Sequence, residues 1–250
     1  MKGVILGGGT GSRLFPLTKV TNKHLLPVYD KPMIYYPLEC MAKAGIEEVM
    51  LVCGGNNSGD FIRLLGNGHE FGLRHLTYTY QPDATGIAAA LGLCEHFADG
   101  EPIMLILGDN VLEYSLASQA DNFRKQLKAT GGRGAKILLA DVENPKAYGV
   151  AEMDAGGKVV GIEEKPENPK SSKAVIGIYF YDGHVFDIVK TLKPSGRGEL
   201  EITDVNNAYI ERGEMTADAV DGWWGDCGEN LEFYHKACCK IAEIGANKDR

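Results

Sequence analysis

The chain has 250 residues and a mass of 27.1 kDa, enough for one large domain that buries a substantial core without staples. Twenty-six Lys and Arg against 34 Asp and Glu give a net charge of −8 and a pI near 5.3. Non-specific binding to nucleic acid or to an anionic membrane is thereby excluded, and any phosphate site must be a local cluster of cations. The longest apolar runs, such as Ile103–Leu107, are strand-sized, too short to span a bilayer. The first residues lack the apolar core and cleavage site of a signal peptide. Six cysteines show neither C-x-x-C pairing nor zinc-finger spacing to His, and are expected to be reduced, mostly buried thiols of a cytoplasmic protein.

In chain order, residues 4–6, 49–53, 76–80 and 103–107 are short apolar or β-branched runs. Between them, 36–44, 60–65 and 87–96 carry apolar residues at three- and four-residue spacing. This alternation predicts βαβ units and a mostly parallel sheet. A helix over 116–129 follows, stopped by Gly131-Gly132. The rhythm then changes. Residues 136–140, 148–153, 159–163 and 174–181 are strand-like and joined by turns such as Ala155-Gly156-Gly157, which predicts an antiparallel insertion. Helices over 204–212 and 230–244 close the pattern, and residues 245–250 read as frayed. The expected fold class is α/β: one domain with a doubly wound, mostly parallel, Rossmann-like sheet and a small antiparallel insertion.

The first strand runs into Gly7-Gly8-Gly9-Thr10-Gly11-Ser12-Arg13-Leu14-Phe15-Pro16-Leu17-Thr18. Glycines here let backbone N–H groups approach and cradle a polyphosphate at the carboxyl end of a strand. Both common phosphate loops fail on spacing. A dinucleotide fingerprint begun at Gly7 and Gly9 needs a third glycine where Ser12 stands, and a P-loop needs G-K-[ST] where the chain has Arg13. Lys23 follows ten residues on, in Thr21-Asn22-Lys23-His24-Leu25-Leu26-Pro27. A guanidinium and an ammonium beside such a loop suit a triphosphate whose pyrophosphate leaves. The plainer reading is a turn with two solvated cations.

Two carboxylates stand at the ends of elements. Asp109, in Leu107-Gly108-Asp109-Asn110, ends the run 103–107, where it can hold Mg²⁺ or open a turn. Asp226, in Gly222-Trp223-Trp224-Gly225-Asp226-Cys227-Gly228, precedes the last helix, which it can cap instead. Gln81 ends the run 76–80, and its carboxamide can both donate to and accept from a pyrimidine edge. Glu163-Glu164-Lys165-Pro166 reads most simply as a solvated charge run closed by proline. In Arg197-Gly198-Glu199-Leu200-Glu201-Ile202-Thr203-Asp204, Arg197 is a loop cation and Thr203 or Asp204 a helix N-cap. The residues alone leave these alternatives open.

The pattern G-G-x-G-[ST]-R-L-x-P-x-T, followed by Lys-His-Leu-Leu-Pro-Val-Tyr-Asp-Lys-Pro-Met, resembles the sugar-1-phosphate nucleotidyltransferases, most nearly their short thymidylyl-transferring group. The likeness runs from Lys2 to about Asp226 through several separated motifs. It implies a nucleotide-binding part over about 1–130, a sugar-binding part over about 131–228 and a C-terminal helix over about 229–245. It further implies Mg²⁺-assisted, in-line attack of glucose 1-phosphate on the α-phosphorus of dTTP or UTP, with release of pyrophosphate and no protein nucleophile. Arg13, Lys23, Lys165 and Arg197 would be the catalytic cations. Leu6, Gly8, Gly9, Gly11, Gln81, Gly86 and Asp109 would bind the nucleotide. Gly149, Glu164, Lys165, Val175 and Arg197 would bind the sugar phosphate, and Asp109 with Asp226 the metal. A homo-oligomer is also implied.

The chain departs from the family where Asp-Thr-Gly-Thr is usual, having Cys227 and Glu229, and at Ile176, where Thr is frequent. Thymine and uracil differ by one methyl, worth only ~1 kcal/mol of discrimination, so the base stays open, as does the sugar. A catalytically silent nucleotide-sugar sensor is the rival from another class. Both carboxylates and all four cations speak against it.

Overall fold

The computed structural model describes residues 1–9 and 11–249; Thr10, in the glycine loop, and Arg250 lie outside the described residues. In chain order the strands are β1 (Lys2–Gly7), β2 (Pro27–Val28), β3 (Lys31–Pro32), β4 (Glu48–Gly54), β5 (His75–Gln81), β6 (Ile103–Leu107), β7 (Asn110–Leu112), β8 (Ala135–Asp141), β9 (Gly149–Met153), β10 (Val159–Glu164), β11 (Lys173–Tyr181), β12 (Met215–Ala219) and β13 (Trp224–Asp226). The α-helices are α1 (Tyr35–Lys43), α2 (Ser58–Leu65), α3 (Ile87–Gly92), α4 (Glu95–Ala98), α5 (Ala117–Ala129), α6 (Val185–Val189), α7 (Ile202–Glu211) and α8 (Leu231–Ile244). They form two compact units: Met1–Ala84 with Leu105–Ser118 and Asp221–Arg250, and Thr85–Met104 with Gln119–Val220.

In the first unit β1, β4 and β5 are parallel neighbours, with Gly3 opposite Val49 and Glu48 opposite His75. Parallel neighbours require crossovers, which α1 and α2 supply. Val4, Ile5, Val49, Leu51 and Val52 are all buried. Strands buried on both faces read as continuous apolar runs, which is why β1 and β4 stand out in the sequence. All three strands point their carboxyl ends the same way, bringing Gly7, Gly54 and Gln81 to one edge. Two short ribbons complete the unit: β2 with β3, and β7 with β13, the latter setting Asp226 opposite Asn110. Helix α8 buries Ala237 and Ile241 in a cluster with Leu14, Val28, Met33, Tyr36 and Cys227.

Residues 245–249 are docked, contrary to the expectation of a frayed end. Asn247 is 2% exposed, and its backbone N–H donates to Leu112 O at 2.9 Å. Its side-chain amide donates to Tyr36 O at 2.9 Å, and Lys43 Nζ donates to Asn247 O at 2.7 Å. Lys248 N donates to Glu113 O, and Ser115 N to Lys248 O. The partners lie more than 130 residues upstream, beyond any local sequence pattern.

In the second unit β8 runs antiparallel to β11 and parallel to β12, while β9 pairs antiparallel with both β10 and β11. This is the expected antiparallel insertion, with Val175 of β11 opposite Gly149 of β9. The helix expected over 87–96 is instead two, α3 ending at Gly92 and α4 beginning at Glu95. Glycine is a poor helix interior residue, and the chain breaks there. Helix α7 begins without a side-chain cap at Glu201. Thr203, expected as a cap, lies inside the first turn and donates to Glu164.

Asn247 combines a positive φ of 51° with a buried, bonded amide, so Asn247→Ala should lose about 1–2 kcal/mol of stability in urea unfolding. Unchanged stability would mean that the docking of 245–249 contributes nothing.

Candidate active site

The glycine loop leaves β1 with Gly9 at φ 104° and Gly11 at φ 63°, backbone conformations that favour glycine. Thr18 Oγ1 ties it down by donating to Gly11 O at 2.8 Å. A short helical turn over Ser12–Leu14 follows, with Leu14 wholly buried and Arg13 exposed. Burying Leu14 fixes the turn that presents Arg13. At the neighbouring strand ends, Gly54 packs against Gly8 and Gly9, and the Gln81 carboxamide oxygen lies beside Gly8. Leu6, the last fully apolar residue of β1, is buried beneath the loop and accepts from Gly108 N at 2.9 Å.

That last bond brings the second carrier loop to the first. Asp109 follows Gly108 and is 6% exposed. Its Oδ2 is ion-paired with Lys23 Nζ, and its Oδ1 accepts from Asn110 Nδ2 at 3.2 Å. Asp226, at the end of β13, accepts from Gly228 N at 2.9 Å. Cys227 N donates to Asp109 O at 2.9 Å, which ties the two acidic loops together through the backbone. Asp226 therefore caps a tight turn; helix α8 is capped by Asn230, which accepts from Phe233 N at 2.8 Å.

The electrostatics follow from a buried acid, Asp109, beside a half-buried ammonium and a half-buried second acid. Burial alone would lower the Lys23 value, but the charges of Asp109 and Asp226 outweigh it and hold the ammonium firmly protonated. Burial likewise works to raise Asp109; the Lys23 charge prevails and brings its carboxyl to about 2. For Asp226, burial and the Asp109 charge act together and push it to about 7, with Glu229 adding in the same direction. A pair of carboxylates of which one is reluctant to ionise is a place that wants more positive charge. Its donors are oxygens, the kind a hard ion takes. Among the described residues no three His, Cys, Asp or Glu side chains converge as a metal cluster.

The remaining expected residues lie in the second unit. Glu164 Oε2 accepts from Thr203 Oγ1 at 2.6 Å, beside the Cα of Gly149. Lys165, exposed and at φ 46°, stands 3.8 Å from Glu164 Oε1. Arg197 makes a fork on Glu201, Nε to Oε1 at 3.2 Å and Nη2 to Oε2 at 2.7 Å. Its Nη2 also lies 3.3 Å from Glu199 and 3.5 Å from Glu164. Burial works to raise the Glu201 carboxyl, yet hydrogen bonds from Arg197 and Ser195 keep it below its ordinary value. Glu164, Lys165 and Arg197 thus form one charge cluster with Gly149, and Val175 faces Gly149 across the ribbon. Gly86, at φ 104°, backs onto Leu200, whose N–H donates to Thr85 O.

Three contributors escaped the sequence reading. A Cβ on Gly228 would lie 2.5 Å from both Asp109 Oδ2 and Lys23 Nζ, so a side chain there would push the ammonium or the carboxylate aside. Glu201 is the anchor of Arg197, and its i,i+4 spacing was the available signal. Asn110 braces Asp109. Cys227 is wholly buried, and burial followed by the two neighbouring acids pushes its thiol well above the ordinary range. It stays a protonated thiol in the α8 cluster.

A glycine loop on a parallel sheet, backed by a lysine paired with one carboxylate and within the field of a second, defines a phosphate-handling α/β protein. The chain matches the model of the nucleotidyl transferase family over residues 2–243, and it belongs to that family. It is 42% identical over 98% of its length, and 83% of the relative's, to a glucose-1-phosphate thymidylyltransferase of Neisseria meningitidis serogroup A. A Bacillus anthracis protein provisionally named glucose-1-phosphate thymidylyltransferase, crystallised with a sucrose, superposes with a TM-score of 0.91 at 46% identity, covering the whole of both chains. A UDP-glucose pyrophosphorylase in complex with UDP-glucose superposes at 0.82 and 25% identity, over 97% of this chain and 98% of that one.

Gly228→Ala should cut kcat by about a hundredfold or more, because the added methyl displaces either the ammonium or the carboxylate. Its far-ultraviolet circular dichroism should match that of the parent. Near-normal turnover would show that the close approach at Gly228 is dispensable.

Proposed function

We propose that this chain transfers a thymidylyl group from dTTP to glucose 1-phosphate, giving dTDP-glucose and pyrophosphate. A phosphate oxygen of the sugar forms the new bond to the α-phosphorus, the bond from that phosphorus to the β-phosphate bridge oxygen breaks, and pyrophosphate leaves with the electron pair. The observation that carries the reading is Lys23 ion-paired with Asp109 behind the glycine loop, with Asp226 within reach of its charge. The names of the relatives supply the substrates.

The attacking oxygen belongs to a phosphate already ionised near neutral pH, so no protein base or nucleophile is called for, and the protonated Cys227 fits that. Catalysis then rests on position and charge. Gly8, Gly9 and Gly11 turn backbone N–H groups toward the triphosphate, and Leu6 and Gly86 border the nucleoside. Gln81 reads the pyrimidine edge. Arg13 and Lys23 offset the charge that builds on the leaving pyrophosphate. In the second unit Lys165 and Arg197 hold the sugar phosphate, with Glu164, Gly149 and Val175 around the sugar. Glu201 orients the Arg197 fork, so a phosphate meets a guanidinium whose geometry is already set. Asp109 and Asp226 would hold Mg²⁺, which when bound draws negative charge from the phosphates.

UTP in place of dTTP is the second reading, favoured by the likeness to the UDP-glucose pyrophosphorylase. Either substrate agrees with a cytoplasmic location, where nucleoside triphosphates are plentiful and the six free thiols stay reduced.

Pyrophosphate release with glucose 1-phosphate and Mg²⁺, run in parallel with dTTP, UTP, CTP, ATP and GTP, tests the proposal. Release should require the sugar phosphate and be fastest with dTTP, and Asp109→Asn or Arg13→Ala should abolish it in folded protein. A UTP preference would change the base only. Silence with all five nucleotides would overturn the reading.

A further inference from the structure

Asp109 is held at both of its oxygens, and the two holds differ in kind. Oδ2 meets the Lys23 ammonium, which carries donors only, so no flip has to be excluded there. Oδ1 meets Asn110 Nδ2 at 3.2 Å, and a carboxamide can offer that contact only when its NH₂ rather than its oxygen faces the acid. The side chain that decides this is Trp224. Its indole Nε1–H lies 2.6 Å from Asn110 Oδ1. An indole nitrogen is a donor and never an acceptor, so it takes the amide oxygen and leaves the NH₂ to Asp109.

The ribbon explains why these groups meet. On β13, Trp224 and Asp226 are two residues apart and share a face. Across the ribbon Asp226 stands opposite Asn110, and Trp224 opposite Leu112. Asn110, 4% exposed, therefore has a carboxylate directly across from it and an indole on the diagonal. A buried amide free to flip would turn its oxygen toward Asp109 part of the time and repel it.

We infer that Trp224, acting through Asn110, is a positioning residue for the Asp109 carboxylate. This rests on the reading of Asp109 and Asp226 as the metal-holding pair. Trp224 fixes one orientation of the amide, the amide fixes the rotation of the carboxylate, and Oδ2 is thereby aimed toward Lys23 and the Asp226 side of the site. The indole's ring contributes packing, but the positioning depends on its N–H alone.

Two readouts separate this role from packing: Mn²⁺ bound by the protein alone, counted by electron paramagnetic resonance of the free ion, and kcat set against KM. Trp224→Phe keeps the ring and removes the donor. It should weaken Mn²⁺ binding about fivefold and lower kcat about as much, with KM for dTTP little changed and thermal unfolding near that of the parent. Asn110→Ala should do at least as much, and the double variant no more than Asn110→Ala alone, since Trp224 acts through Asn110. Trp224→His, which restores a donor, should recover part of the loss. Should Asn110→Ala fail to fold, Asn110→Ser takes its place in the cycle. Additive losses in the double variant, or a Trp224→Phe effect confined to KM, would overturn the inference. Asp109→Asn, measured alongside, tells the two levels apart. If it binds Mn²⁺ as the parent does, the metal reading falls and takes this inference with it. If it loses Mn²⁺ while Trp224→Phe does not, the inference alone falls.

Discussion

A single buried ammonium organises the first unit. Lys23 stands against Asp109 with Asp226 in electrostatic reach, and the buried Asp109 could not be kept there without a counter-charge. The cost of taking three charges from water is met by geometry that several elements supply together. The turn after β1 delivers Lys23, the exit from β6 delivers Asp109, and the β7–β13 ribbon delivers Asp226. Gly228 supplies the space, since any side chain there would stand where the ammonium and carboxylate meet. The compensation is incomplete. With one cation for two acids, Asp226 remains hard to ionise, and the place keeps an uncompensated demand for positive charge.

The second unit solves the converse problem. Arg197 and Lys165 are cations grouped together in a protein of net charge −8, and their neighbours include Glu164, Glu199 and Glu201. Glu201, itself buried and bonded by Ser195, takes the Arg197 fork from the helix side. The looser contacts at 3.3 and 3.5 Å are those a phosphate can replace at little cost, because exposed ion pairs are individually weak. Orientation and availability are thereby assigned to different carboxylates.

Which parts were legible in the sequence follows from how far each interaction reaches along the chain. Strands β1 and β4 were legible because burial on both faces leaves a continuous apolar run, and the glycine loop because its spacing is local. Asp109 and Asp226 stood out through their place at element ends. Their pairing was legible only through the family resemblance, since 117 positions separate them. The docking of Asn247 onto Tyr36 and Leu112 was hidden for the same reason, and so was the use of Thr203 by Glu164 in place of a helix cap. Gly228 could not be told from an ordinary turn glycine until its would-be Cβ had neighbours. Helix 87–96 failed locally: apolar spacing outweighed the warning given by Gly92.

The departures at Cys227 and Glu229 can now be weighed by what each touches. Cys227 hydrogen-bonds Asp109 through its backbone N–H, which any residue other than proline would provide, and its side chain packs in the cluster under α8 with Val28, Tyr36 and Ala237. A thiol is at home there, while a hydroxyl would need a buried partner. The substitution therefore tunes the seating of α8 and leaves the acidic pair untouched. Glu229 acts differently, because its charge adds to the forces that keep Asp226 from ionising. Here the chain has placed one more negative charge beside the acid of the pair that is harder to ionise. The same turn that spares the geometry has thus altered the field, and it is the field that sets how tightly a divalent ion and its phosphate are held.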